Sequence, residues 1–377
     1  MSDVLRHCQQ QLPEAMAFLE KMVSLESPSF DKTLVDDFVR VIGAQFAAMG
    51  AQIEFVHAEK FGDHLIARFP GRSSERVLLL GHTDTVWPAG EITRRPFKIA
   101  GGRAFGPGVF DMKAGIVLIG MAIAALHNAN GGLEKTVTVL LVSDEEVGST
   151  SSRAVTESEA SACRAVFVLE PSLPGGALKT ARKGIGRFTL KAIGRAAHAG
   201  IDPENGVNAI EEISRQILKL QKMTDLARGT IVTVGVVQGG TRSNVVPAEA
   251  AAEIDIRISS MEEAERMTKT IKALYAELPG ARLEIRGSIN RPPMERTAET
   301  DRLFRLAQKV ASTLGMALTE GSTGGASDGN FTSALGIPTL DGLGAIGGSA
   351  HAIDEWVDIQ SLPQRAALLA GLISERL

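Results

Sequence analysis

The sequence predicts an α/β protein: a mostly parallel sheet with helices on both faces, and a smaller α+β domain inserted into it. Three observations predict this. The run Val77–Leu80 lacks polar alternation, as strands buried on both faces do, and Thr136–Val142 and Ala165–Leu169 read as buried strands beside it. Helical patterns lie between them, and strand-helix-strand order is the mark of a parallel sheet. Near Lys183 the habit changes. From there to Arg291-Pro292-Pro293 the order is β-α-β-β-α-β, that of a ferredoxin-like unit. The expected domains are therefore 1–182 with 291–377, and an inserted 183–290.

In chain order, residues 3–25 and 32–49 read as helices, the second with Leu34, Val35, Phe38, Val39, Ile42 and Phe46 at helical spacing. Asp31 is its expected cap and Gly50 its stop. Strands follow at Gln52–Val56, His64–Phe69 and Arg76–Gly81, a helix at Lys113–Asn128, a strand at Thr136–Ser143, a polar helix at Ser151–Ser161 and a strand at Ala165–Leu169. In the insert, Phe188, Leu190 and Ala192 alternate with Arg187, Thr189 and Lys191 along Gly186–Ile193, as in a half-buried strand. A helix at Gly206–Lys222 comes next, then strands at Thr230–Val237 and Ala250–Ile258, a helix at Met261–Leu278 and a strand at Arg282–Arg286. The remainder holds a helix at Asp301–Leu314, a Gly/Ser-rich loop, a helix near Asn330–Leu335, a strand at Ile337–Leu340 and a final helix from Gln360.

Composition narrows the function. The 377 residues carry Lys+Arg 40 against Asp+Glu 44, a net charge of −4, which argues against a basic nucleic-acid binder. No uninterrupted apolar stretch reaches the ~20 residues of a membrane helix, and the N-terminus lacks the apolar core of a signal peptide. Cys8 and Cys163, without CxxC spacing, make neither a disulfide framework nor a thiolate metal site. The expectation is a cytoplasmic protein without nucleic-acid or membrane partners.

Three buried strands run into ionisable residues: Gly81-His82-Thr83-Asp84, Ser143-Asp144-Glu145-Glu146 and Glu170-Pro171. Ligands of parallel sheets bind beyond the carboxyl ends of the strands, so these groups should meet on one edge. Asp111 joins them from the glycine-rich loop Gly106–Lys113, and His351 follows the strand Ile337–Leu340. Histidines among several carboxylates form a ligand set for divalent metal, most simply Zn²⁺, with Mn²⁺ or Co²⁺ as substitutes. The inventory exceeds one tetrahedral ion, which favours a bridged pair. Asp84 can hold the second imidazole nitrogen of His82. Of the neighbours Glu145 and Glu146, opposite-facing in extended chain, one can bind metal and the other act as general base.

Two other motifs carry less. Gly342-Leu343-Gly344-Ala345-Ile346-Gly347 matches GxGxxG, but no helical pattern or distant acid follows it. Gly325-Ala326-Ser327-Asp328-Gly329, with Asp341 and His351 behind it, has the order of a serine hydrolase but lacks the buried strand that should precede the nucleophile.

Taken together, GHTDTV (81–86), GPGVFDMKAG (106–115), DEEVGS (144–149), LEP (169–171), AHAG (197–200), SNVVP (243–247), DIR (255–257) and SAHAIDEWV (349–357) resemble the M20 metallopeptidases. The resemblance covers nearly the whole chain and is closest to the glutamate carboxypeptidase branch. It implies His82, Asp111, Glu146, Glu170 and His351 as metal ligands, with Asp111 bridging two zinc ions per chain. It implies Asp84 as the partner of His82 and Glu145 as general base toward a metal-activated water. His198 in the inserted domain would stabilise the oxyanion in a partner subunit's site, making 183–290 a dimerisation or lid domain of a homodimer. Asn244 would hold the scissile carbonyl and Arg257 the substrate carboxylate, through its bidentate fork; pairing of Arg257 with Asp255 or Glu253 is the alternative. Gly325 and Ser327 would line the substrate site, where Ser327-Asp328-Gly329 departs from the closest relatives. The implied reaction is hydrolysis of an amide next to a free carboxylate, in a small peptide ending in glutamate or a similar residue. Deacylation of N-acyl amino acids is the alternative.

Overall fold

The computed structural model describes residues 1–376. The chain divides into two compact units, one of Met1–Ala181, Arg296–Ser322 and Ser327–Leu377, the other of Arg182–Glu295 with Thr323–Ala326.

In the first unit, six strands form one sheet in the order Gln52–Val56, His64–Phe69, Thr136–Val142, Arg76–His82, Val166–Val168, Thr339–Leu340. The last four run parallel, and the first two are antiparallel additions at one edge. The central strands are buried on both faces: Val77 and Leu79 join one apolar cluster, Leu78 and Leu80 another. The helix Ala114–Asn130 lies against the first of these faces and packs on Ser2–Ser24 and Leu362–Ser374. With the turn before it, this helix is long and apolar enough to cross a membrane, with mean hydropathy 2.0 in its most apolar window, but 83% of that window is buried inside the protein. It is therefore a core helix, apolar all round because it is covered all round. Asp31 accepts the Leu34 N–H as the cap of Lys32–Ala48. A small four-stranded sheet joins Lys98–Ala100, Arg103–Phe105, Trp356–Asp358 and Gly347–Gly348. Runs of two or three residues are too short to show a period, and the sequence does not signal them.

The second unit has an antiparallel sheet in the order Ile231–Gly239, Glu249–Ile258, Gly184–Ile193, Arg282–Arg291. The helices Ala209–Gln221 and Met261–Lys272 pack on it. Phe188, Leu190, Ile254 and Ile256 from the sheet form one core with Ile213, Leu220, Met267 and Ile271 from the helices. This is ferredoxin-like connectivity. The second helix ends at Lys272, six residues before the expected Leu278. The cause is Glu212, fully buried, whose carboxylate accepts the N–H groups of Glu277 and Leu278 at 2.8–3.1 Å and the Gln216 amide at 2.7 Å. Those backbone groups leave the helical ladder for a side chain. The final strand runs to Arg291 rather than Arg286, because pairing with Gly184–Ile193 continues across a bulge at Ile289–Arg291.

Replacing Glu212 by Ala removes the acceptor of the buried Gln216 amide and of two part-buried N–H groups, a buried donor left unsatisfied costing about 1–3 kcal/mol, whereas Asp31→Ala removes one cap worth about 1 kcal/mol. Urea titrations followed by circular dichroism should rank Glu212→Ala as clearly the more destabilised variant. Equal losses would contradict this account of the helix end.

Candidate metal centre

Parallel register brings the site residues to one edge. Leu80 stands beside both Leu140 and Val168, and His82 beside Val142. His82, Glu145-Glu146 and Glu170 therefore leave three adjacent strands at the same end. Asp111 reaches them from the turn Val109–Lys113, entered through Gly108 at φ +70°, a conformation that favours glycine. Glycine is also required at Gly344 by close approach. A Cβ there would lie 2.3 Å from the Leu169 carbonyl oxygen, so the GxGxxG segment packs flat against the chain that carries Glu170. It opens no helix: Gly347–Gly348 is a strand.

The His82 imidazole is buried, 2% exposed. Its Nε2 lies 3.1 Å from Asp111 Oδ1 and 3.4 Å from Glu170 Oε1. On the other side of Asp111, His351 Nε2 lies 3.3 Å from Oδ2 and 3.1 Å from Glu146 Oε1. One carboxylate thus turns one oxygen to each of two histidines, each of which has a second carboxylate beside it.

His82 Nδ1 lies 2.9 Å from the backbone carbonyl of Asp84 and 3.4 Å from its carboxylate. The carbonyl is the closer of the two, and the side chain expected from sequence stands beside it. The strand ends at His82, so the extended spacing assumed for residue 84 does not continue. The Asp84 carboxylate, fully buried, also accepts Ser29 Oγ at 2.8 Å and the N–H groups of Glu145 and Glu146 at 3.2 Å each. Glu145–Val147 is a 3₁₀ turn rather than extended chain. Successive side chains in such a turn are about 120° apart, so Glu145 and Glu146 still diverge.

The donor set fits divalent metal. With Nδ1–H committed to a carbonyl, neutral His82 presents an Nε2 lone pair to two carboxylates, an arrangement that needs a cation or a proton between them. Atoms about 2.0–2.1 Å from one tetrahedral ion stand about 3.3 Å apart, close to the four separations above. His82, Asp111 and Glu146 also place ligand atoms within 4.8 Å of one another. In the metal-free protein, protons serve as the cations. Burial opposes charging of His82, but Asp111, Asp84 and Glu170 outweigh it and hold its pKa well above the usual value. Asp111 and Glu146 raise His351 to about 10. Burial works against the Asp111 carboxylate, yet His351 and His82 hold its pKa below the usual range. Glu146 is raised by burial.

The remaining nominated residues fall elsewhere. In the second unit, exposed His198 pairs with Val245 in an antiparallel bridge, and the Ala199 N–H donates to the Asn244 carbonyl at 3.0 Å. His198 Nδ1 accepts the Gly200 N–H at 3.2 Å, which leaves the proton on Nε2. Arg257 forks onto Asp255, with Nε 2.7 Å and Nη2 3.2 Å from its carboxylate, and also donates to the Gly324 carbonyl. This is the alternative pairing that two residues on one strand face permit. The Gly325 carbonyl accepts from Arg182. Ser327 is fully buried in the first unit, its hydroxyl donating to Asp341 at 2.6 Å and its N–H to Asn330 at 2.9 Å. Both donors are thus used within the fold, which corrects the expectation that Ser327 lines a substrate site. The serine-hydrolase order dissolves too, since His351 faces Asp111 and Glu146. Sequence reasoning missed Ser29 and Glu355. Glu355 lies inside the SAHAIDEWV motif, the one signal that could have found it.

Comparison with known proteins identifies the family. Residues 78–375 match Peptidase family M20/M25/M40. The chain is 30% identical over 373 residues to Carboxypeptidase G2 of Pseudomonas sp. (strain RS-16), covering 96% of this chain and 89% of that protein. It is 29% identical over 334 residues to a Succinyl-diaminopimelate desuccinylase of Gluconacetobacter diazotrophicus, covering 83% and 84%. Its fold is similar to that of the Bacillus subtilis YXEP protein, a dinuclear metal-binding peptidase, with a TM-score of 0.71 at 19% identity over 97% and 98% of the two chains. The chain belongs to peptidase family M20/M25/M40 and is a metallopeptidase.

Proposed function

We propose that this metallopeptidase is a co-catalytic dizinc hydrolase that cleaves an amide bond next to a free carboxylate, releasing a C-terminal glutamate or a similar amino acid. The observation that carries the reading is Asp111, with one carboxylate oxygen toward each of two histidines. Similarity to Carboxypeptidase G2 supports the substrate class. His82, Asp111 and Glu170 would hold one ion; His351, Asp111 and Glu146 would hold the other. Bound divalent ions supply Lewis acidity toward a carbonyl oxygen and acidify water near neutral pH.

The chain's own residues do the rest. Glu145 takes a proton from the attacking water and returns it to the leaving nitrogen. Asp84 fixes the peptide N–H groups of Glu145 and Glu146, so the proton carrier and its neighbour keep their places. His198, with its proton on Nε2, donates to the oxyanion, in a homodimer assembled through 183–290 and working in the cytoplasm. Asn244 holds the scissile carbonyl, and the Gly325 segment lines the substrate. Arg257 binds the substrate carboxylate by exchanging Asp255 for it. Deacylation of N-acyl amino acids is the second reading, favoured by similarity to a desuccinylase. Faster release from varied N-acyl amino acids than from dipeptides would select it.

A chelator should abolish hydrolysis of N-acyl-glutamate and dipeptide substrates, and zinc should restore it. Glu145→Gln should lower kcat about 10²–10⁴-fold with metal content unchanged. Chelator-indifferent activity, or a fully active Glu145→Gln, would overturn the reading.

Metal uptake should also depend on pH. His351 keeps its proton up to about pH 10 in the metal-free protein, and a metal binds only the neutral imidazole. Affinity should therefore rise with pH, about tenfold per unit for each proton displaced. Chelator competition between pH 6 and 8 checks this, and a flat profile would contradict it.

A further inference from the structure

Glu355 is 1% exposed, and both its carboxylate oxygens are occupied. Oε1 accepts the N–H groups of Phe110 and Asp111, each at 2.9 Å. Oε2 accepts the Gly108 N–H at 3.0 Å and Trp87 Nε1 at 3.1 Å. Three of the four donors belong to the turn that carries Asp111. Four residues before Glu355 stands His351, at φ +62°, with Ser349 at φ +59°. A residue other than glycine keeps such a conformation only where its surroundings over-determine it.

The same corner supplies that constraint. The Glu355 N–H closes a turn onto the Ala352 carbonyl at 3.1 Å. The Arg95 guanidinium stacks 3.9 Å from the centre of the Trp87 ring. Its Nη1 donates to the Ile353 carbonyl at 3.0 Å, and its Nε to Glu91 at 2.6 Å. Arg95, Trp87 and Glu355 thus form a continuous brace between the loop that bears His351 and the turn that bears Asp111.

We infer that Glu355 is a positioning residue: through its four N–H bonds, with Trp87 and Arg95 behind it, it sets Asp111 against His351 and so tunes metal affinity. This rests on the metal reading of the site. Glu355→Gln keeps the shape but turns an NH₂ group toward N–H donors, breaking half of the clamp. Loss of a group that orients metal ligands weakens binding about 10–100-fold.

The test is a Co²⁺ titration of wild type and Glu355→Gln, reading affinity by chelator competition and coordination by the visible absorption bands. Circular dichroism of the metal-free proteins monitors the fold. The expected result is a folded variant with affinity lowered about 10–100-fold and altered Co²⁺ bands. A folded variant with wild-type affinity and bands would overturn the inference while leaving the metal reading intact. A wild-type protein that takes up no metal would overturn the metal reading itself, and this inference with it. Should Glu355→Gln not fold, Trp87→Phe removes one donor and keeps the three backbone bonds. Lowered affinity in that variant supports the brace, and unchanged affinity overturns it.

Discussion

Negative charge gathered at Asp111 is the constraint on which the rest of the site depends. Two carboxylates, Glu146 and Glu170, stand close to histidines that already face Asp111. Carboxylates so placed repel one another unless positive charge lies among them. In the metal-free protein the charge is protonic, seen in the raised pKa values of His82 and His351. In a working metallopeptidase it is metallic. On the metal reading proposed above, the protein must hold these side chains still in both conditions, and much of the surrounding structure does this.

Two buried carboxylates serve the proposed ligands through the backbone that carries them. Asp84 binds the N–H groups of Glu145 and Glu146, which ties the end of strand Thr136–Val142 to the end of strand Arg76–His82. Glu355 binds the turn of Asp111. Most of the donors to each are backbone N–H groups, joined by Ser29 Oγ on Asp84 and Trp87 Nε1 on Glu355. Backbone atoms move less than side chains, so a ligand fixed through its own peptide group has less freedom to drift. The parallel sheet beneath, buried on both faces, makes the three strand ends a rigid edge.

Much of this was legible in the sequence, for physical reasons. A doubly buried strand is mostly apolar, so Val77–Leu80 and Val139–Val142 declare themselves, and the ionisable residues directly after them stand out. Alternation in Gly186–Ile193 declared a half-buried strand in the same way. What was not legible depended on contacts distant in the chain. Periodicity carries the helix from Met261 to Leu278, but Glu212 takes the backbone donors beyond Lys272. Spacing brings the Asp84 carboxylate toward His82, but it does not show that the chain turns and sets the Asp84 carbonyl closer still. A Gly/Ser loop suggests an exposed Ser327, but Asp341 and Asn330 draw it inward. Glu355 looks like any acid after a histidine until the Asp111 turn folds onto it.

Anomalous diffraction from zinc-soaked crystals tests the central claim most directly. The account predicts two peaks about 3.5–4 Å apart, one flanked by His82 and Glu170, the other by His351 and Glu146, with Asp111 between them. A single peak, or two peaks not bridged by Asp111, would contradict it.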